Sequence, residues 1–228
     1  MGKFTRFARK NVPEPLRQTI KGTPIETAVD KIRYYSASPV LVTTDTPMGS
    51  IEIEIVKSDF LYRHLSNRNQ FHSAVLKNFN QVLSSDSVFY DVGAHFGYIS
   101  AAVRQSGVHP SRIHAFEAET FEFMMLKRNF SDSPTHLVES RVGSSAPDLQ
   151  IDEYVSSGNQ PPDVVKIDVE GAEMEVLRGM NHVLRSEAPH LLIEVHPTMI
   201  KQFDSGTDEL FSYLKSHGYS NFSFLLGS

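Results

Sequence analysis

The stretch Ser87-Val88-Phe89-Tyr90-Asp91-Val92-Gly93-Ala94-His95-Phe96-Gly97-Tyr98 decides the fold. It begins as a short apolar run, turns at small residues and opens into the helical spacing of Tyr98–Gln105. A strand that ends in a tight glycine turn and feeds a helix is the first unit of a β-α-β crossover. The same grammar repeats downstream. Strands are expected at Arg112–Glu117, Thr135–Glu139, Asp163–Asp168, His190–Val195 and Tyr219–Leu225. Helices are expected at Thr120–Asn129, Ala172–Arg185 and Thr207–Ser216. Val164-Val165-Lys166-Ile167 and Leu191-Leu192-Ile193 are nearly continuous apolar runs, the mark of strands covered on both faces. The chain therefore reads as an α/β protein with a doubly wound, mainly parallel sheet and helices on both faces.

Upstream the pattern differs. Val40–Thr43 and Ser50–Lys57 flank Pro47 and Gly49 and predict a hairpin. Its second strand buries Ile51, Ile53 and Ile55 and wets Glu52 and Glu54. Phe71–Leu83 has helical spacing, and Pro24–Tyr35 reads as a short helix with Pro24 at its first position. We thus divide the chain into an N-terminal helical and hairpin extension, 1–70, and a sheet domain, 71–228. Lys3, Arg6, Arg9, Lys10, Arg17 and Lys21 alternate with Phe4, Phe7 and Leu16, which allows a weak peripheral membrane contact beside the plainer reading of a helix packed on the domain.

Composition excludes several classes. The 228 residues contain no cysteine, which removes disulfides, zinc–thiolate sites and thiol nucleophiles. A net charge of −5 argues against a dedicated nucleic-acid binder. No apolar run reaches the roughly 18–20 residues of a transmembrane segment, and no signal-peptide core follows the N-terminus. A cytoplasmic protein is the expectation.

In an open α/β sheet, ligands bind beyond the carboxyl ends of the strands. The turn after the first strand holds Asp91, Gly93, Ala94, His95 and Gly97. A dinucleotide loop needs G-x-G-x-x-G, and His95 occupies the second glycine position; a P-loop would need Lys-Ser or Lys-Thr after Gly97. An acidic residue without a phosphate signature suits a cationic ligand instead. Glu117, at the end of the next strand, can accept hydrogen bonds from a ribose diol. The plain alternative is that both acids only cap helices.

A second set lies further on. Asp168 and Glu170, two apart, point the same way on extended backbone, and Lys166 can pair with Asp168. Glu173 falls in a first helical turn and can serve the helix dipole alone. Glu194 and His196 end the following strand, and Pro197 holds His196 extended. His196 can take a proton near neutral pH.

Asp91–Gly97, Ala115-Phe116-Glu117, and above all Lys166–Glu173 with Glu194–Pro197 resemble the FkbM family of methyltransferases, over about Ser87 to Gly218. The resemblance implies a Rossmann-like class I methyltransferase fold, S-adenosylmethionine as donor, and O-methylation of a hydroxyl on a sugar, glycan or natural product. It places Asp91, Gly93, Ala94 and Gly97 along the methionine part of the donor, with His95 in the same loop where relatives often carry Asn. Glu117 would hold the ribose, with Ala118 beside it where relatives have Pro. Arg141, Val142 and Gly143 would border adenine. Asp168, Glu170, Glu194 and His196 would face the methyl group and acceptor. The short span Gly143–Asp163 and the missing antiparallel seventh strand depart from the family. The hairpin would cover that edge, or the sheet is shorter.

Two mechanisms stand open. His196 or Asp168 acts as general base, or Asp168, Glu170 and Glu194 hold Mg²⁺; no metal-ligand set is assigned. The rival functions are a non-catalytic binder of S-adenosylmethionine or another nucleoside and, less favoured, an NAD-dependent oxidoreductase.

Overall fold

The computed structural model describes residues 34–66, 73–196, 198–200 and 206–224. The basic N-terminal stretch, the helix expected from Pro24 (save Tyr34 and Tyr35), Phe71, His72, Pro197 and Leu225 lie outside these residues.

The chain begins with β1 (Pro39–Thr46) and β2 (Gly49–Val56), an antiparallel hairpin. Two helices follow, α1 (Phe60–Ser66) and α2 (Ser73–Val82). Then come β3 (Phe89–Val92), α3 (Tyr98–Gln105), β4 (Ile113–Glu117), α4 (Thr120–Asn129), β5 (His136–Glu139), α5 (Ile151–Ser156), β6 (Val164–Ile167), α6 (Glu173–Arg178), α7 (Asn181–Ser186), β7 (His190–Ile193) and α8 (Thr207–Ser216).

β3 to β7 form one five-stranded sheet, ordered β5-β4-β3-β6-β7, with every pairing parallel. The chain winds outward from β3 to β5, then crosses to the other side of β3 for β6 and β7. That reversal makes the carboxyl ends of β3 and β6 the topological switch point, where such sheets open a crevice.

Strand alternation divides the core in two. Phe89, Ile113, Ala115 and Val164 face α2, α3, α4 and the hairpin, meeting Leu76, Phe79, Ala102, Leu126, Ile53 and Ile55. Tyr90, Val92, Phe116, Val165 and Ile167 face α5 to α8, meeting Ile151, Leu177, Leu184 and Leu210. Each such fully buried side chain contributes about 1.5–3 kcal/mol of transfer free energy.

Several sequence expectations are refined. The hairpin forms its own two-stranded sheet and packs on the face of the domain, so it does not extend the parallel sheet. The expected strand at Tyr219–Leu225 does not form over residues 219–224. Tyr219 and Phe222 pack on the second core by their side chains, and the Tyr219 hydroxyl donates to the Pro189 carbonyl (2.9 Å). The single helix expected over Ala172–Arg185 breaks into α6 and α7. A Cβ on Gly179 would lie 1.9 Å from the Gly143 carbonyl oxygen, so a backbone crosses there. Asp152 then caps α7 from a distance, accepting from the His182 and Val183 N–H groups (2.8 and 2.9 Å).

Candidate active site

Register places the acids. Asp91 pairs with Ala115 on β4 and with Lys166 on β6, and Lys166 pairs with Leu192 on β7. Residues two further along point to the same face. Asp91, Glu117, Lys166, Asp168 and Glu194 therefore share one face of the sheet at its carboxyl rim. Asp91 and Glu117 do not diverge.

They do not play equal parts. Asp91 is wholly buried. It accepts from the Ser100 hydroxyl (2.7 Å) and pairs with the Lys166 ammonium (3.2 Å). Lys166 also donates to the Gly93 carbonyl (2.6 Å) and lies 3.7 Å from Asp168. Burial works against the ammonium, yet Asp91 and Asp168 together hold its pKa above the ordinary lysine value. Asp91 is thus the anchor of a buried ion cluster, and the cation it faces is the Lys166 ammonium rather than the cationic ligand expected.

The glycine loop is tight for reasons of packing. Gly93 has φ +78°, and a Cβ there would meet the Asp168 carbonyl oxygen at 1.9 Å. Gly93 therefore ties the β3 turn to the end of β6. At Gly97 (φ +88°) a Cβ would strike Phe130 and Leu126 of the α4 end, so its neighbour is α4 rather than the strand.

Glu117 is nearly buried at the rim. One oxygen accepts from the His95 N–H (2.7 Å), the other from the Glu119 N–H (2.9 Å). Each oxygen keeps a second acceptor position, which is what a ribose diol requires. Of the remaining expected cofactor residues, Ala94 is buried beneath the loop and Ala118 is exposed beside Glu117. Val142 packs its side chain in the second core, leaving only its backbone to border a ligand.

His95 binds the extension to this loop. Its Nε2 lies 3.3 Å from Asp59, a buried residue before α1 that also accepts from the Tyr34 hydroxyl (2.8 Å) and the Leu61 N–H (2.8 Å). Burial lowers the His95 pKa, but the Asp59 hydrogen bond together with the charges of Asp59, Glu117 and Glu122 outweighs it and the net shift is upward. Asp59 likewise resists burial and ends below the usual carboxylate range, chiefly through its bond to His95.

Beyond β6 and β7 lies the second group. His196 Nδ1 is 2.9 Å from Glu173, which is wholly buried and also accepts from the Gly171 N–H (3.1 Å). Its Nε2 lies 3.8 Å from Asp168 and 4.0 Å from Glu194. The Glu173 bond, against the cost of burial, raises the His196 pKa. Partial desolvation of its half-exposed carboxyl first, and Asp168 second, raise that of Glu194. Gly171 (φ +112°) allows this closeness, since a Cβ there would clash with Met199 of the loop after β7.

Glu170 is not part of the group. The strand ends at Ile167, so the extended geometry that would align Glu170 with Asp168 is lost. Glu170 adopts φ +51° and is exposed. Glu173 is instead the carboxylate that meets His196. The sequence signal was available, a carboxylate in the first turn of a helix that starts at the rim, but nothing local showed that it meets His196.

Fold and site together define a doubly wound α/β protein with one rim carboxylate that keeps open acceptor positions and a separate acid–imidazole group on the same rim. Residues 123–220 match the model of the methyltransferase FkbM domain. A hexuronic acid methyltransferase, AglP, from Haloferax volcanii is 28% identical over 188 residues, covering 70% of this chain and 75% of its own. Among solved structures, a methyltransferase FkbM from Methylobacillus flagellatus aligns with a TM-score of 0.48 and 18% identity over 68% of this chain. This chain spans about half of that one, 47%. A precorrin-6y C5,15-methyltransferase from Geobacter metallireducens aligns with a TM-score of 0.46 and 22% identity, over 64% and 71% of the two chains. Among the described residues, no helix is long and apolar enough to cross a membrane.

Proposed function

We propose that the protein is an S-adenosylmethionine-dependent O-methyltransferase that acts on a hydroxyl of a sugar or glycan. The observation that carries this reading is the rim itself, where Glu117 and the group Asp168, Glu194 and His196 share one sheet face. The hexuronic acid acceptor named for the Haloferax volcanii relative supports a sugar.

When bound, S-adenosylmethionine supplies a methyl group on a sulfonium that already carries its positive charge. The chain's own residues then have three tasks. Glu117 fixes the ribose, and the Gly93 turn, held by Lys166, sets the depth of the crevice. The carboxylates of Asp168 and Glu194 favour a cationic centre beside them. With an acceptor hydroxyl held beside the donor's methyl group, His196 or Asp168 would take its proton, and Glu194 would add negative charge beside it. A carboxylate acceptor is already ionised and needs no base, so a proton-accepting group on the rim favours a hydroxyl. A non-catalytic binder would have no use for a buried Glu173 that orients His196.

The test is transfer of isotopically labelled methyl from S-adenosylmethionine to a panel of neutral and uronic-acid sugars. Label on a sugar hydroxyl is the expected result. Donor binding with no transfer to any sugar would leave the binding-module reading in its place.

A further inference from the structure

His196 presents an unusual surrounding. Glu173 is a carboxylate that also takes the Gly171 N–H on the same oxygen, so it can only accept from His196 Nδ1. The imidazole therefore carries its proton on Nδ1 and turns Nε2 toward two more carboxylates. Those lie 3.8 and 4.0 Å away, beyond hydrogen-bond length. A proton on Nε2 would draw at least one of them to about 2.8 Å. A bare lone pair would face two anionic oxygens. The spacing leaves room among the three groups for an ion larger than a proton.

Ligand atoms about 2.0–2.6 Å from one divalent ion stand roughly 3–5 Å from each other. One ligand atom each from Asp168, Glu194 and His196 all lie within 4.8 Å of one another. The rest of the arrangement is what metal-binding imidazoles need. A buried carboxylate on the far ring nitrogen fixes tautomer and ring angle and raises ligand basicity. The three residues come from the ends of two adjacent strands, with Gly171 and Met199 locking the two loops together. Asp168 and His196 are partly buried and Glu194 is exposed, which leaves one side open for further oxygen ligands.

We infer that Asp168, Glu194 and His196 form a divalent-cation site on the acceptor side of the crevice, with Glu173 as its positioning residue. Two carboxylates and one imidazole suit Mn²⁺ or a similar borderline ion better than Mg²⁺, which dehydrates reluctantly and prefers oxygen alone. The inference rests on the methyltransferase reading only for what the cation serves, the holding of an acceptor oxygen.

The experiment is Mn²⁺ binding to the full chain, followed by electron paramagnetic resonance, beside binding of S-adenosylhomocysteine to the same samples. One Mn²⁺ per chain is expected. His196→Ala and Glu194→Gln should each weaken it at least tenfold, with S-adenosylhomocysteine affinity unchanged and circular dichroism preserved. Glu173→Gln keeps the fold if its amide still takes the Gly171 N–H, and should weaken Mn²⁺ by about tenfold or more. Donor-analogue binding without Mn²⁺ binding, or Mn²⁺ binding indifferent to His196→Ala, overturns the cation site and leaves the methyltransferase reading intact. Mn²⁺ binding without the analogue does the reverse.

Discussion

Lys166→Met removes the only side-chain cation within reach of Asp91 among the described residues, and its effect follows from the burial of both partners. Asp91 is wholly buried and Lys166 nearly so, at 0% and 7% side-chain exposure. In the variant Asp91 keeps one hydrogen bond, from Ser100. A buried charge stripped of its partner costs about 3–5 kcal/mol. For a chain of this size each kcal/mol lowers the Tm by roughly 2–4 °C, so a fall of about 6–20 °C is expected. Asp91→Asn alone should cost less, because Lys166 still reaches Asp168 and the Gly93 carbonyl. The double variant, Asp91→Asn with Lys166→Met, should recover most of the loss, since removing both members of a buried pair is close to neutral. Urea unfolding of the four proteins measures the coupling directly. A loss below about 1 kcal/mol for Lys166→Met, or strictly additive losses in the double variant, would refute the ion-cluster account.

Other perturbations test other parts. Glu173→Ala frees His196 Nδ1 and should lower turnover about 10–100-fold while leaving donor affinity alone; steady-state rates beside calorimetry separate the two. Gly93→Ala places a Cβ 1.9 Å from the Asp168 carbonyl and should abolish folding, whereas Gly158→Ala, with φ +106° and nothing within 4 Å, should cost only about 1–2 kcal/mol by thermal melts. The pair Asp59–His95 makes stability depend on pH. His95, raised on folding, stabilises fully below about pH 6.5 and loses that contribution as pH rises through its folded pKa; Asp59, lowered on folding, stabilises above about pH 3.9 and loses it as pH falls through its folded value. The stability gap between wild type and Asp59→Asn should therefore peak between about pH 4 and 6.5, and a gap that does not vary with pH contradicts the pairing.

The alternation of apolar runs and helical spacing was enough to place β3 to β7 and their helices, because strands buried on both faces leave a dense local signal. α1 and α5 were missed. Each is short, and each is held by tertiary packing: Leu61 and Leu65 anchor α1 in the first core, and Ile151 anchors α5 in the second. The break between α6 and α7 was equally invisible, since Gly179 tolerates a helix and only the Gly143 backbone forbids it a side chain. In the site, Glu117, Asp168, Glu194 and His196 were legible because strand ends converge in any such sheet. Glu170 was misplaced by carrying strand geometry two residues past the last ladder bond. Glu173 and Asp59 could not be assigned, because their partners His196 and His95 lie 23 and 36 residues away in sequence and only folding brings them together.

The most direct measurement is calorimetric titration of S-adenosylmethionine into the wild-type protein and into Glu117→Ala. Single-site binding on the order of 1–100 µM is expected for the wild type, with at least a tenfold loss in the folded variant. Absence of binding to the wild type, or full affinity without the Glu117 carboxylate, would contradict the account.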